Sequence, residues 1–302
     1  MARGSILILV IWAFILRVSM SHSRFLRAHP YGVFDDMPRI PAHPDNGAAW
    51  ITGASSGIGA ALAGELHSRG WSVVLSARSE SSLNELAARL GDRAMAVPCD
   101  VTDKASIATA AAQIRSRFHR IGLVVSNAGV YEPFEGQNFD ADLFRKTIDV
   151  NLGGAALLAE AVLPEMARNK EGHFHIVSSA TGFGGMPTCS AYGASKAGLI
   201  NMAECLKLEM NRFNVGISIS TPGFVDTPAQ ADTPFPKPFM IQPSEAAINI
   251  ANAVERGGFE TTFPRRFTWI LKAIYALPRP LYLPIVRRFT GWNKPVKPKD
   301  LA

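Results

Sequence analysis

Cysteine is scarce: Cys99, Cys189 and Cys205 are the only three in 302 residues. Three irregularly spaced thiols build neither a disulfide framework nor a zinc site, so no metal centre is expected and the thiols read as small buried groups in a reducing compartment. Acidic residues are outnumbered, 25 against 31 basic, giving a net charge of +6 and a pI near 9.4. That excess is not spread as a nucleic-acid-binding face requires. It gathers beside apolar stretches, with Arg17, Arg24 and Arg27 toward one end and Arg265, Arg266, Lys272, Arg279, Arg287 and Arg288 toward the other. Basic residues interleaved with Phe, Trp, Leu and Ile suit an anionic membrane surface better than a DNA groove. The apolar run Ile6 to Leu16 is short. As a helix it would reach ~16 Å, against a hydrocarbon core of ~30 Å. It fits a short anchor, an uncleaved signal-like segment, or a translated upstream stretch without function, and Met20 and Met37 are alternative starts. One basic residue before the run and three after it place the rest of the chain on the cytoplasmic side.

Internal repeats are lacking as well, and with 47% hydrophobic and 19% charged residues the chain is not a disordered one. Residues 22–46 hold Pro30, Pro38, Pro41 and Pro44 and no apolar periodicity, which reads as a linker. From Ala48 short β-like segments alternate with helical ones. Strands are predicted at Ala48–Thr52, Ser72–Ala77, Ala94–Pro98, Leu123–Ser126, His173–Ser178 and Gly216–Thr221, with a last one near Phe259–Phe263. Helices are predicted at Gly57–Arg69, Glu80–Leu90, Asp103–Phe118, Phe139–Arg168, Ser190–Phe213 and Ser244–Arg256. This alternation predicts a doubly wound α/β domain, a Rossmann-type parallel sheet covered on both faces, over residues 46–262. It leaves an N-terminal extension over 1–45 and a basic, aromatic tail over 263–302. Within the tail, Pro278, Pro280 and Pro284 should leave two short helical pieces. These either lie along a membrane surface or pack over the domain's own cleft.

Two motifs carry chemistry. Thr52-Gly53-Ala54-Ser55-Ser56-Gly57-Ile58-Gly59 joins the first strand to the first helix. Glycines there permit a tight turn and close approach of a pyrophosphate, and the helix N-terminus supplies free N–H groups and a positive dipole end. About 20 residues on, a carboxylate would bind a ribose 2′-OH, but Ala77-Arg78 stands there instead. A guanidinium that can grip a 2′-phosphate favours NADP(H) over NAD(H). The second motif is Tyr192-Gly193-Ala194-Ser195-Lys196, whose Tyr and Lys share one helix face at i, i+4. An ammonium and a helix N-terminus should lower the phenol's pKa toward neutrality, making Tyr192 a proton donor and acceptor for a carbonyl/alcohol pair.

The Gly-x-x-x-Gly-x-Gly spacing led by Thr, with the Tyr-x-x-x-Lys pair downstream, resembles the short-chain dehydrogenase/reductase family over residues 48–262. The resemblance implies a cofactor site built from Gly53, Ser55, Ser56, Gly57, Ile58, Gly59 and Arg78. Asp100 and Val101 would recognise adenine, and Asn127-Ala128-Gly129 would border the cofactor. Pro222-Gly223, with Val225 and Thr227, would contact the nicotinamide. Lys196 would tune Tyr192 and bind the nicotinamide ribose, and Asn151 would hold a water in a proton relay with it. A polar residue capping a helix kink is the alternative account of Asn151. Ser179, thirteen residues before Tyr192, would bind the substrate oxygen, with Ser178 as the alternative. The implied activity is hydride transfer between NADP(H) and an alcohol or carbonyl substrate. Phe235, Phe239 and Met240 suggest a lipophilic one. A homodimer or homotetramer through Phe139–Arg168 and Ser190–Phe213 is implied too. A catalytically silent NADP sensor or scaffold of the same fold is the alternative, but its mark would be loss of Tyr, Lys or Ser, and none is lost.

Overall fold

A computed structural model of the chain describes residues 38–228 and 237–293. The expectations for Ile6–Leu16, for most of the linker and for Phe235 lie outside the described residues. From Arg39 onward the described residues form one compact unit. In its seven-stranded sheet, β1 (Ala48–Thr52) has β2 (Val73–Ser76) and β3 (Ala94–Ala96) on one side. On the other side come β4 (Ile121–Ser126), β5 (His173–Val177), β6 (Gly216–Pro222) and β7 (Glu260–Phe263). The order is β3-β2-β1-β4-β5-β6-β7 and every pairing is parallel.

β1, β4, β5 and β6 are buried along their whole lengths, so that even the polar residues alternating along β5 and β6, His173, His175, Ser218 and Ser220, lie inside. Successive residues feed two cores. Trp50, Val74, Val124 and Phe174 meet α3 (Lys104–Phe118), α5 (Gly154–Asn169) and α6 (Ser190–Met210). Ile51, Leu75, Leu123 and Val125 meet α1 (Gly57–Ser68), α2 (Glu80–Leu90) and α7 (Pro243–Arg256). Arg69 clamps α1 to α7, reaching Glu65 at 2.5 Å and Glu255 at 2.6 Å. Between β5 and β6 a buried polar ladder runs from Ile40 O through His173, Ser218 and His175 to Ser220, with links of 3.0, 2.6, 2.7 and 2.8 Å. The strand order reverses beside β1, so the carboxyl ends of β1 and β4 part there and open a crevice, the usual ligand position in such sheets.

Two elements differ from the sequence reading, and the tail follows it. The helix expected over Phe139–Arg168 is divided into α4 (Ala141–Ile148), a π-helical turn at Asp149–Gly153, and α5. It begins at Ala141 because the Asp140 carboxylate accepts from the Asp142 and Leu143 N–H groups, both at 2.9 Å. The linker's end is folded: Ile40 and Ala42 are buried, and the Ala42 N–H donates to Val254 O at 2.9 Å. The tail forms two helices, α8 (Arg265–Tyr275) and α9 (Arg279–Phe289). Pro278 and Pro280 stand at the start of α9, where a missing N–H costs nothing, while Pro284 is accommodated inside it. Among the described residues, 141–169 is long and apolar enough to cross a membrane. Leu158, Val162, Leu163 and Met166 bury its apolar face in the core, so it is a sheet-covering helix.

Candidate functional site

The crevice is a cleft of about 750 Å³ bordered by the carboxyl ends of β1, β2, β4, β5 and β6. The turn after β1 forms one wall. Gly53 and Gly57 have φ of 66° and 55°, the left-handed region that favours glycine. A Cβ at Gly59 would collide with Gly53 O and come within 2.7 Å of Asn127 Nδ2. Gly59 therefore faces away from the cleft and lets α1 close on the turn. Ser56, the residue before α1, makes no side-chain cap, which leaves the helix's first N–H groups for a ligand. Arg78, just past β2, lines the same end of the cleft. Asp100 holds its own turn there, accepting from Thr102 N at 2.9 Å and Thr102 Oγ1 at 2.7 Å. These bonds, and then the charge of Arg78, lower its pKa.

Beyond β4, Asn127 ties two strand ends together. Its Nδ2 donates to Thr52 O at 2.9 Å, and Thr52 Oγ1 accepts from the Asn127 and Ala128 N–H groups. Of the residues expected at the site, all line the cleft except Gly59 and Asn151. Asn151 is buried in the π turn. Its Oδ1 accepts from Val130 N at 2.8 Å, and its Nδ2 donates to Val130 O at 3.1 Å and Ser195 Oγ at 3.0 Å. The amide thus braces the loop after β4 against α6 and makes no direct bond to Lys196. A Cβ at Gly129 would stand 3.2 Å from Asn151 Oδ1 and 3.6 Å from Lys196 Nζ, so the two groups are close neighbours.

Ser178 and Ser179 follow β5 and differ in surroundings. Ser178 is buried and donates to Lys196 O at 2.8 Å. Ser179 lies in the cleft, 2.5 Å from Thr181 Oγ1. Tyr192 and Lys196 enter from the first turns of α6, and Lys196 Nζ donates to Val177 O at 2.9 Å. The electrostatics depart from the sequence reading. Burial pushes the Tyr192 phenol up to about 12, and the Ser179 hydroxyl only partly opposes it. Burial likewise pushes Lys196 down to about 8. The ammonium cannot rescue the tyrosinate because it lies over the ring, 5.4 Å from the centroid, and is turned toward a strand carbonyl. Tyr192 is consequently a neutral phenol across the ordinary pH range.

Sequence reasoning missed the wall opposite Tyr192. A second cavity of about 30 Å³ adjoins the cleft and is lined by Tyr131, Ser179, Thr181, Met186, Cys189, Tyr192, Phe224, Phe267 and Leu271, among others. Tyr131 meets Tyr192 edge-on at 5.0 Å between ring centroids. Phe267 and Leu271 belong to α8, so the tail packs over the cleft, as one of its two expected arrangements had it. Neither Tyr131 nor Phe267 lies in a motif. Only the apolar, aromatic character of the tail hinted at the second. Among the described residues no cluster of His, Cys, Asp and Glu could hold a metal.

A parallel sheet of this order, a glycine turn before α1 and a Ser–Tyr–Lys group at the crevice define a nucleotide-binding oxidoreductase fold. The family model for short chain dehydrogenases matches residues 47–235. The chain belongs to that family. An uncharacterized oxidoreductase of Myxococcus xanthus is 34% identical over 243 residues, 80% of this chain and 96% of that protein. A solved short-chain dehydrogenase from Sphingobium yanoikuyae, in complex with NADPH, is 28% identical with a TM-score of 0.67, covering 74% of this chain and 91% of that one. The 3-ketoacyl-(acyl-carrier-protein) reductase from Brucella melitensis, complexed with NADH, is 24% identical and shares the fold with a TM-score of 0.66 over 72% of this chain and 97% of that one.

Proposed function

We propose that this oxidoreductase transfers hydride between NADP(H) and an alcohol/carbonyl pair, and that Tyr192, Lys196, Ser179 and Asn151 are its working residues. The observation that carries the reading is the meeting of Ser179, Tyr192 and Lys196 where the nucleotide cleft opens into the small apolar cavity. A dinucleotide fits the rest of the cleft: uncapped N–H groups at α1 suit a pyrophosphate, and Arg78 with no nearby carboxylate on β2 suits a 2′-phosphate. Relatives of this fold are solved with NADPH in one case and NADH in another, so the choice of NADP(H) rests on Arg78.

Bound there, the dihydronicotinamide supplies the hydride. Tyr192, held protonated by burial, donates the balancing proton to the carbonyl oxygen, giving the alcohol. Ser179 hydrogen-bonds the same oxygen and steadies the charge that develops on it. Lys196, whose Nζ stands 5.4 Å from the centroid of the Tyr192 ring, is a cation beside the tyrosinate left behind and would restrain the ribose, while Asn151 fixes the loop and helix around both. A silent sensor of the same fold gains nothing from a buried Lys beside a half-buried Tyr in the cleft, and that observation favours the enzyme. The aromatic wall of Phe224 and Phe267 suits a lipophilic substrate. The free thiols Cys99, Cys189 and Cys205 suit a reducing, cytoplasmic setting. Exposed Leu208 on α6 is consistent with dimer or tetramer contacts through α5 and α6. The test is NADPH consumption over carbonyl compounds graded by chain length. Turnover rising with apolar length supports the reading, no turnover of any carbonyl overturns it, and activity confined to short polar substrates refutes the lipophilic part.

A further inference from the structure

The two tail helices have two unlike faces. Inward, Phe267 and Leu271 wall the small cavity, Thr268 and Val286 are buried, and Tyr275 fills the space beside Gly184 so fully that no side chain could stand there. Outward, large apolar side chains are left in water: Trp269 is 62% exposed, Ile270 52%, Leu283 50% and Phe289 78%. Arg265, Arg266, Arg287 and Arg288 are exposed among them. From Thr261 to Lys299 the sequence has no Asp or Glu, against nine Lys and Arg. An aromatic row links the two faces: Phe224 and Phe267 stand 5.5 Å apart, and Phe267 and Phe239 stand 6.1 Å apart. Phe239 and its neighbour Met240 are themselves 55% and 45% exposed. Apolar surface therefore runs from the cavity wall to the outside.

We propose that the outer face of α8 and α9 docks on an anionic phospholipid bilayer and sets the mouth of the substrate cavity against it. Each helix has 11 residues, ~16 Å, too short to span ~30 Å of hydrocarbon, so both lie flat in the interface. Charge selects the partner. A second copy meeting this face isologously would bring one all-basic strip against another, whereas anionic headgroups neutralise it. A nucleic-acid groove would satisfy the arginines but leave Trp269, Ile270, Leu283 and Phe289 without apolar contact, and acyl chains supply that contact. A consequence, which rests on the oxidoreductase reading, is that an apolar substrate enters from the lipid.

The test uses the full chain with vesicles of phosphatidylcholine alone, or with about a third phosphatidylserine added. Sedimentation should require phosphatidylserine and weaken with salt. Replacing Arg265, Arg266, Arg287 and Arg288 by Gln should lower the partition coefficient by about fivefold per residue. Trp269→Ser with Ile270→Ser and Leu283→Ser should abolish binding. Both variants should keep wild-type turnover of a water-soluble ketone, which shows them folded. Binding that is indifferent to phosphatidylserine and to both variants overturns the proposal. So does a dimer in solution that the apolar variant dissociates, because a second copy then covers this face. Vesicle binding by a chain that turns over no carbonyl would leave the docking surface standing and remove the oxidoreductase reading alone.

Discussion

Raising the pH through the range 7 to 10 separates the two ionisable groups of the proposed site. Burial puts Lys196 at about 8 and Tyr192 at about 12, so the lysine loses its charge first. The sign follows from the groups' charges: Lys196 is cationic below about 8 and neutral above it, while Tyr192 stays a proton-bearing phenol throughout. At pH 10, two units above the lysine's value, about one Lys196 in a hundred is charged. If the ammonium is needed beside the departing phenolic proton, kcat/KM for NADPH should be flat to about pH 8. Above that it should fall roughly tenfold per unit, to about one hundredth at pH 10. This parameter is the right one because it reports groups of the free enzyme. The assay is NADPH oxidation with a saturating water-soluble ketone. Lys196→Met provides the control, since its residual activity should show no such limb. A wild-type profile flat to pH 10 would refute the role of the lysine's charge. A profile that rises with pH would refute Tyr192 as the acid.

Tyr192→Phe removes the transferable proton while keeping the ring packed on Tyr131, so turnover should fall roughly 10²–10⁴-fold with NADPH affinity kept; near-wild-type turnover sinks the assignment. Ala77→Asp with Arg78→Gln should turn the cofactor preference from NADPH to NADH, because a charge-assisted phosphate contact is worth about 1.5–3 kcal/mol; equal use of both cofactors by the unmodified enzyme counts against it. Gly59→Ala forces a methyl group onto Gly53 O and Asn127 Nδ2, and overpacking of about 1–3 kcal/mol should weaken NADPH binding roughly tenfold to a hundredfold; titration calorimetry giving an unchanged Kd would show the turn to be pliable. Burial lowers His173 to about 4 and His175 to about 3, both below the ordinary 6.5. The fold holds them neutral, so their contribution to stability is complete above about pH 6.5 and is lost as pH falls toward 4 and 3. The urea midpoint should drop between pH 7 and pH 5, and by less in His175→Gln; equal midpoints at the two pH values would refute it.

The strands and most helix ends were legible because burial on both faces of a parallel sheet writes itself as short apolar runs in β1, β2 and β4, and as β-like alternation in β5 and β6, set between longer helical stretches. The cofactor turn was legible for a related reason: Gly53 and Gly57 need conformations that other residues resist, so their spacing is a backbone record. What stayed hidden depends on contacts distant in sequence. The division at Asp149–Gly153 comes from Asn151 bonding Val130 and Ser195, which nothing within one helix's periodicity reveals. The direction of the Tyr192 shift was misjudged because i, i+4 spacing says the ammonium is near but not that it points to Val177 O. Phe267 could not be assigned to the cavity from the sequence, since a basic, aromatic amphipathic stretch reads alike whether it covers a cleft or a membrane.

These hidden contacts also tie the ends of β4 and β5 to α6. Val130 follows β4, Asn151 sits between α4 and α5, and Ser195 lies in the turn of α6 that carries Tyr192 and Lys196. A single buried amide joins all three, at 2.8 and 3.1 Å to Val130 and 3.0 Å to Ser195. Ser178 extends the same construction to β5 through Lys196 O. Lys196 is therefore held by its own backbone from one side and by Val177 O at its ammonium from the other, with little freedom to follow a moving charge. A site that donates a proton from a fixed phenol needs the carbonyl oxygen brought to it, and the rigid aromatic wall of Tyr131 and Phe267 can do that positioning. On this argument the π turn would serve the proposed chemistry indirectly: its extra residue lets an amide stitch the loop after β4 to the helix that carries Tyr192, the proposed acid.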